Sequence, residues 1–157
     1  MRIAFAADHG GVEAKQFLAD ELRKLGHEII DFGTDDTESC DYPDYGIPAA
    51  RSVPQGKADR AVLVCTNGIG MSMLANRIPG VRAALVYNEG TAERTRQHHD
   101  SNVLCLGGSE FSKDQLLRFA QIWLGAEFEG GRHARRIAKF QALDCASPDA
   151  TPEAGGS

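Results

Sequence analysis

Ala61-Val62-Leu63-Val64-Cys65-Thr66-Asn67-Gly68-Ile69-Gly70 passes from a run of apolar residues into a polar turn with two glycines. A short continuous apolar run bounded by turn signals reads as a strand covered on both faces, and the residues after Gly70 read as a helix that stops before Pro79-Gly80. The same order appears at the start of the chain. Arg2-Ile3-Ala4-Phe5-Ala6-Ala7 forms a strand and Asp8-His9-Gly10-Gly11 ends it. A helix then runs from Val12 to Leu25, with Ala14, Leu18, Leu22 and Leu25 at helical spacing, Lys and Glu on the other face, and Gly26 as its stop.

Outward from these two units the alternation continues. Residues His27 to Phe32 read as a strand, Gly33-Thr34-Asp35-Asp36 opens a polar loop to Pro43, and residues 44–53 read as a helix broken by Pro54 and Gly56. Val81 to Val86 is a strand, Thr91 to His99 a polar helix, Asn102 to Leu106 a strand, Lys113 to Leu124 a helix, and a last helix begins near Arg132. Strands alternating with helices on short loops predict a three-layer α/β/α sandwich around a Rossmann-like, parallel, five-stranded sheet. No internal repeat is visible. The 157 residues fit one domain, read as residues 1–146, with the Pro-, Ala-, Gly- and Ser-rich tail 147–157 expected to be disordered.

Composition narrows the partners. Hydrophobic residues make up 42% and charged residues 25%, values of a globular protein. No apolar run reaches the roughly 18–20 residues of a membrane span, and the N-terminus has no signal-peptide pattern, so the expected location is cytoplasmic with no membrane partner. The net charge of −5 disfavours nucleic acid. Cys40, Cys65, Cys105 and Cys145 are scattered without a Cys-x-x-Cys pair, which argues against disulfides and against a zinc site; no metal is expected.

In open parallel sheets ligands bind outside the carboxyl ends of the strands, so the loops after Ala7, Phe32, Cys65, Val86 and Leu106 are the places to search. After Cys65 the turn through Gly68 and Gly70 aims backbone N–H groups and a helix N-terminus into the crevice. This makes an anion hole beside a thiol whose pKa, ordinarily about 8.5, the same field would lower. The plainer reading is a small buried residue followed by a tight turn. Asp8 and His9 could bind sugar hydroxyls or exchange protons, or could simply cap the next helix. His98 and His99 offer acid/base groups near neutral pH, or are surface residues of a polar helix. Arg132 and Arg136, four residues apart on one helix face, could converge on a phosphate, or could be a solvated basic face.

Familiar nucleotide motifs fail on the residues. Gly56-Lys57 is followed by Ala58 and has Arg51 where a P-loop needs its first glycine. Gly68-x-Gly70 is followed by Met73 where the dinucleotide fingerprint needs glycine, and Met71 stands where a Cys-x5-Arg phosphatase loop needs arginine.

The remaining pattern resembles the ribose-5-phosphate isomerases of the B type, in the ribose/galactose phosphate isomerase family. Ile3-Ala4-Phe5 through Asp8-His9-Gly10, Asp41-Tyr42-Pro43, Cys65 with Gly68-Ile69-Gly70, Ala75-Asn76-Arg77, Gly80-Val81-Arg82-Ala83, Arg96-Gln97-His98, Asn102-Val103-Leu104, Trp123-Leu124-Gly125 and Glu129-Gly130-Gly131-Arg132-His133 carry it, in order over residues 1–143. The resemblance implies an aldose-ketose isomerase of pentose phosphate metabolism that interconverts ribose 5-phosphate and ribulose 5-phosphate through an enediolate, without metal or organic cofactor. It assigns ring opening to His98 and proton transfer between C2 and C1 to Cys65, with oxyanion donors from Gly68, Gly70 and Ser72. His9, Arg132 and Arg136 would hold the phosphate, while Asp8, Asp41 and Tyr42 would meet hydroxyls. It further implies a homodimer, or a tetramer built of dimers, with sites at the subunit interface.

The chain departs from the family pattern at three places. Asn67 stands where Thr or Ser often assists the cysteine, and an amide donates a hydrogen bond without relaying a proton. His99 replaces an Asn that meets the substrate chain, and Ser109-Glu110 replaces an arginine after the fifth strand. These departures bear on sugar specificity. They keep two alternatives in view: an isomerase of a six-carbon aldose 6-phosphate, and a non-catalytic module that binds phosphosugars.

Overall fold

The computed structural model describes residues 1–145; the tail expected from residue 147 lies outside them. Five strands, β1 (Arg2–Ala7), β2 (Glu28–Asp31), β3 (Arg60–Cys65), β4 (Ala83–Leu85) and β5 (Val103–Gly107), form one parallel sheet in the order β2-β1-β3-β5-β4. Six helices accompany them: α1 (Val12–Lys24), α2 (Tyr42–Ser52), α3 (Ile69–Ala75), α4 (Glu89–His99), α5 (Lys113–Gly125) and α6 (Arg132–Gln141), followed by a short 3-10 turn at Ala142–Cys145.

Right-handed crossovers decide which face each helix covers. The step from β1 to β2 goes one way across the sheet, the steps from β2 to β3 and from β3 to β4 go the other way, and the step from β4 to β5 turns back. Accordingly α1, α4 and α5 pack with Ile3, Phe5, Val62, Val64, Leu104 and Leu106 on one face. The opposite face joins α2 and α3 to Ala4, Ala6, Leu63, Cys65, Val103 and Cys105. Three layers result, as the alternation of elements predicts.

Differences from the sequence reading are local. α2 starts at Tyr42, with Pro43 in its first turn where the absent N–H costs nothing, and it carries Pro48 within. β4 shrinks to three residues, because Asn102 takes over the polar groups before it. Its Oδ1 accepts from Arg82 N–H at 2.8 Å and its Nδ2 donates to the Gly80 carbonyl at 2.9 Å. Lys15, assigned to the wet face of α1, is wholly buried. Its ammonium donates to both oxygens of Asp31, at 2.7 and 2.8 Å, and to Asp35 at 2.9 Å. Asp31 also accepts from Gly33 N–H at 2.9 Å, so one ion cluster fastens α1 to the end of β2 and to the loop beyond it.

Two stability predictions follow from these contacts. Asp31→Ala strips the buried ammonium of its bidentate partner and should cost about 2–3 kcal/mol by urea unfolding, whereas Lys15→Met fills the same volume and lets Asp31 and Asp35 hydrate, for about 1 kcal/mol or less. A near-neutral Asp31→Ala would remove the anchoring role. At the entry to β2, burial first and then the N-terminal ammonium lower the pKa of His27. Its Nδ1 is buried with no partner among the described residues. A histidine held neutral in the fold contributes stability that is present above the unfolded value of about 6.5 and lost as pH falls toward the lowered folded value. Wild-type stability should therefore decline more steeply below about pH 6.5 than that of His27→Gln; parallel pH profiles would contradict this.

Candidate active site

Strands β1 and β3 are neighbours from which the sheet grows in opposite directions, so the loops after Ala7 and Cys65 emerge side by side with a crevice between them. Glycines let those loops touch. A Cβ on Gly11 would lie 2.6 Å from the Val64 carbonyl oxygen, and one on Gly10 would lie 2.5 Å from Thr66 Oγ1. A Cβ on Gly108, beyond β5, would lie 3.3 Å from both the Gly10 carbonyl oxygen and the Gly11 Cα. Three strand ends thus meet backbone to backbone.

Cys65 closes β3 and is 5% exposed. Its Sγ accepts the Gly68 N–H at 3.2 Å, and Gly68 adopts φ 79°, which brings that N–H around toward the sulfur. The Ile69 N–H donates to Asn67 Oδ1 at 3.0 Å and the Ser72 N–H to the Gly68 carbonyl at 3.0 Å. Among the described residues the N–H groups of Gly70 and Met71 donate to no acceptor. Of the donors expected between Gly68 and Ser72, these two are left unspent. The Ser72 hydroxyl turns back to the Ile69 carbonyl at 2.9 Å. Cys105, in the middle of β5, is a different kind of thiol: complete burial drives its pKa far up, as expected of a packing residue.

The rest of this rim comes from β1 and α2. Asp8 is buried and one of its oxygens accepts the Gly10 N–H at 3.0 Å, which shapes the loop. His9 is exposed, and its Nδ1 accepts the Cys40 N–H at 3.3 Å, with Cys40 Sγ at 3.9 Å. In the tautomer that accepts this bond the ring proton sits on Nε2. Asp41 is the N-cap of α2 and exposed. The Tyr42 ring lies against Gly70, since a Cβ there would be 2.8 Å from its Cζ. Asp8, His9, Asp41, Tyr42, Cys65, Asn67, Gly68, Gly70 and Ser72 therefore share one end of the sheet.

His98, His99, Arg132 and Arg136 do not join them within one chain; the resemblance implies sites at a subunit interface. α4 begins at the carboxyl end after β4, and its 11 residues carry the chain back to the amino end of β5, where His98 and His99 sit. There His98 stacks on His133, with ring centroids 4.3 Å apart and planes 4° from parallel, and its Nε2 lies 4.0 Å from Glu129 Oε2. Glu129 N–H donates to the Gln97 carbonyl at 3.0 Å, which ties the loop before α6 to α4. Arg132 and Arg136 are exposed on α6, and Arg132 Nε approaches His133 Nε2 at 3.5 Å. The end of α4 is itself clamped: Asp100, in the left-handed region at φ 45°, binds Arg96 at 2.6 Å and Arg82 at 2.9 Å. Sequence reasoning singled out neither Glu129 nor His133 as a site residue, although both stand in the Glu-Gly-Gly-Arg-His segment; nor did it pair Cys40 with His9, thirty-one positions away.

Two half-sites at opposite ends of one chain together carry a thiol, unspent N–H donors, imidazoles and guanidinium groups. The family model described as Ribose/Galactose Isomerase matches residues 3–140. A putative sugar phosphate isomerase of Bacillus subtilis, YwlF, is 43% identical over 141 residues, covering 89% of this chain and 95% of that protein. Ribose-5-phosphate isomerase B of Escherichia coli is 37% identical over 143 residues, covering 91% and 96%. Among solved structures, ribose-5-phosphate isomerase B of Clostridium thermocellum superposes with a TM-score of 0.91 at 44% identity, over 92% of this chain and 98% of that one. The Mycoplasma genitalium enzyme with bound ribulose-5-phosphate gives 0.90 at 35% identity, over 93% and 97%. With the fold, the glycine turn and these likenesses in agreement, the chain belongs to the ribose/galactose isomerase family, an aldose-ketose isomerase by descent and by architecture.

Proposed function

We propose that the chain interconverts ribose 5-phosphate and ribulose 5-phosphate, with Cys65 as the base. The observation that carries this reading is the placement of Cys65 Sγ at the foot of the glycine turn, 3.2 Å from the Gly68 N–H and beside the unspent N–H groups of Gly70 and Met71. The turn holds negative charge in two places: on sulfur when the thiol has lost its proton, and on an oxygen above it during reaction.

Ring opening comes first, by proton exchange between His98 and the ring and anomeric oxygens of the sugar. Cys65 thiolate then removes the proton from C2. The electron pair forms the C1–C2 double bond and the carbonyl electrons move onto O1, which Gly70 and Met71 N–H stabilise. The O2 hydroxyl then passes its proton to O1, the C1–C2 double bond takes the proton back from the thiol at C1, and a carbonyl remains at C2 with a hydroxyl at C1 and the thiolate restored. Asn67, whose carbonyl oxygen is spent on Ile69 N–H, contributes only its amide N–H groups near the sugar. Asp8, Asp41 and Tyr42 meet hydroxyls, and His99 stands toward the far end of the sugar chain. His9, Arg132 and Arg136 hold the phosphate. The carbonyl is polarised by N–H donors, so the reaction as written calls for no metal or organic cofactor.

One chain separates Cys65 from His98, so this reading takes the functional unit to be a homodimer, each site built from the Cys65 end of one subunit and the His98, Arg132 and Arg136 end of the other. Ile69 and Met73, successive turns apart on α3, are 49% and 68% exposed, an apolar stripe suited to such an interface. No helix among the described residues is long and apolar enough to cross a membrane, and the reading places the enzyme in the cytoplasm with its phosphosugar substrate.

Steady-state conversion of ribose 5-phosphate should be readily measured for the wild type and should fall by at least about a thousandfold in Cys65→Ala. His98→Asn should be severely impaired on ribose 5-phosphate but largely spared on erythrose 4-phosphate, which cannot form the stable ring. Mixing the two inactive variants after reversible dissociation should restore about a quarter of wild-type activity, because half the dimers are mixed and each of those holds one intact site. No restoration from a demonstrably mixed population would place both groups in one subunit. Faster turnover of a six-carbon aldose 6-phosphate would shift the substrate assignment and keep the chemistry.

A further inference from the structure

The cluster around His98 contains more donors than ring opening uses. Glu129 Oε2 lies 4.0 Å from His98 Nε2 and 3.5 Å from His133 Nε2, and all three ligand atoms fall within 4.8 Å of one another. They come from three pieces of chain: the end of α4, the loop before α6 and the first turn of α6. The Glu129 N–H bond to Gln97, at 3.0 Å, ties the loop to α4, while the His98 ring, stacked parallel on His133, has to turn out of that stack for both lone pairs to meet one ion. Two imidazole nitrogens and one carboxylate oxygen are the donor set of a zinc site that keeps its fourth position open. Tetrahedral zinc with bonds of about 2.0–2.1 Å needs ligand atoms roughly 3.3 Å apart, so the trio has to close by about an ångström or less at the two measured edges. The side chains of His98 and Glu129, 33% and 51% exposed, have room to make that movement. Arg132 Nε, 3.5 Å from His133 Nε2, is the opposing contact, and its exposed side chain can swing into solvent.

We propose that His98, Glu129 and His133 bind one Zn2+ ion per chain, with water in the fourth position, and that zinc inhibits the isomerase by taking the His98 ring from the sugar. The inhibitory half rests on the function proposed above; the binding half does not. Cysteine spacing gave no hint of this site, because it contains no cysteine and its ligands are separated by 31 and 4 positions along the sequence.

Zinc should be titrated into the metal-free full-length protein in competition with a chromophoric chelator. The expected result is one tight ion per chain, weakened at least about tenfold by Glu129→Gln and by His133→Gln and left unchanged by Cys40→Ser and Cys65→Ala. Cobalt(II) in the same site should give the visible bands of four-coordinate nitrogen and oxygen ligation without a thiolate charge-transfer band. Absence of saturable binding, affinity indifferent to Glu129→Gln, or affinity lost with either cysteine would overturn the site. In the ribose 5-phosphate assay, zinc should inhibit the wild type, chelator should restore turnover, and Glu129→Gln should need at least about tenfold more zinc for the same fractional inhibition. Equal inhibition of both would overturn the inhibitory half. Glu129-dependent binding by a chain that turns over no sugar phosphate would support the metal site while removing the isomerase reading.

Discussion

Backbone contact between the loops that leave β1, β3 and β5 is the constraint on which the catalytic end depends. Gly10 and Gly11 press on Thr66 and the Val64 carbonyl at separations that leave no space for a side chain, and Gly108 lies tightly against both glycines. That contact sets Asp8 and His9 against the turn after Cys65. It also leaves the turn free to spend one N–H on sulfur and keep two others for a ligand. A methyl group at Gly11 would have to move the Val64 backbone and one at Gly10 would displace the Thr66 hydroxyl, shifts that interiors packed at crystal-like density resist.

Charge is handled differently at the two ends of the sheet. At the carboxyl end, a backbone N–H donates to the thiol sulfur, and Asp8 and His9 stand in the neighbouring loop. Ionic side chains instead hold the frame, with Lys15 between Asp31 and Asp35 securing α1 to the loop that leads to α2. The amino end is crowded with ionisable groups. Arg82 and Arg96 clamp Asp100, and next to that clamp His98 and His133 stack within reach of Glu129. Stiff backbone donors suit a developing oxyanion, since they need no reorganisation as charge appears. Movable side chains suit ring opening and phosphate capture, where the ligand arrives charged. The same mobility makes the amino-end cluster adaptable to a metal ion.

The layered fold was largely legible in the sequence because it depends on local signals. Apolar runs such as Ala61 to Cys65 are strands wherever both faces are covered, and the spacing of Ala14, Leu18 and Leu22 allows only a helix with one buried face. Lys15 misled that reading, since a lysine among apolar positions gives no sign of carboxylates 16 and 20 residues away. β4 was overextended for a related reason: Val81 and Arg82 look strand-like, but the Val81 N–H turns to Ile78 and Asn102, distant in sequence, takes the Arg82 N–H and the Gly80 carbonyl.

Membership of the isomerase family was likewise readable from the ordered short motifs, which are strings of neighbours whose chemistry survives without coordinates. By itself the sequence determined the fold class, the thiol-and-glycine turn, and the histidines and arginines that the chemistry would need. Only the tertiary structure decided how those groups are distributed. It put Cys65 and His98 at opposite ends of one sheet, joined Cys40 to His9, and brought Glu129 and His133 to His98. The physical reason is that parallel strands require each helix to carry the chain back across the sheet, so residues near in sequence part to opposite ends while distant ones become neighbours.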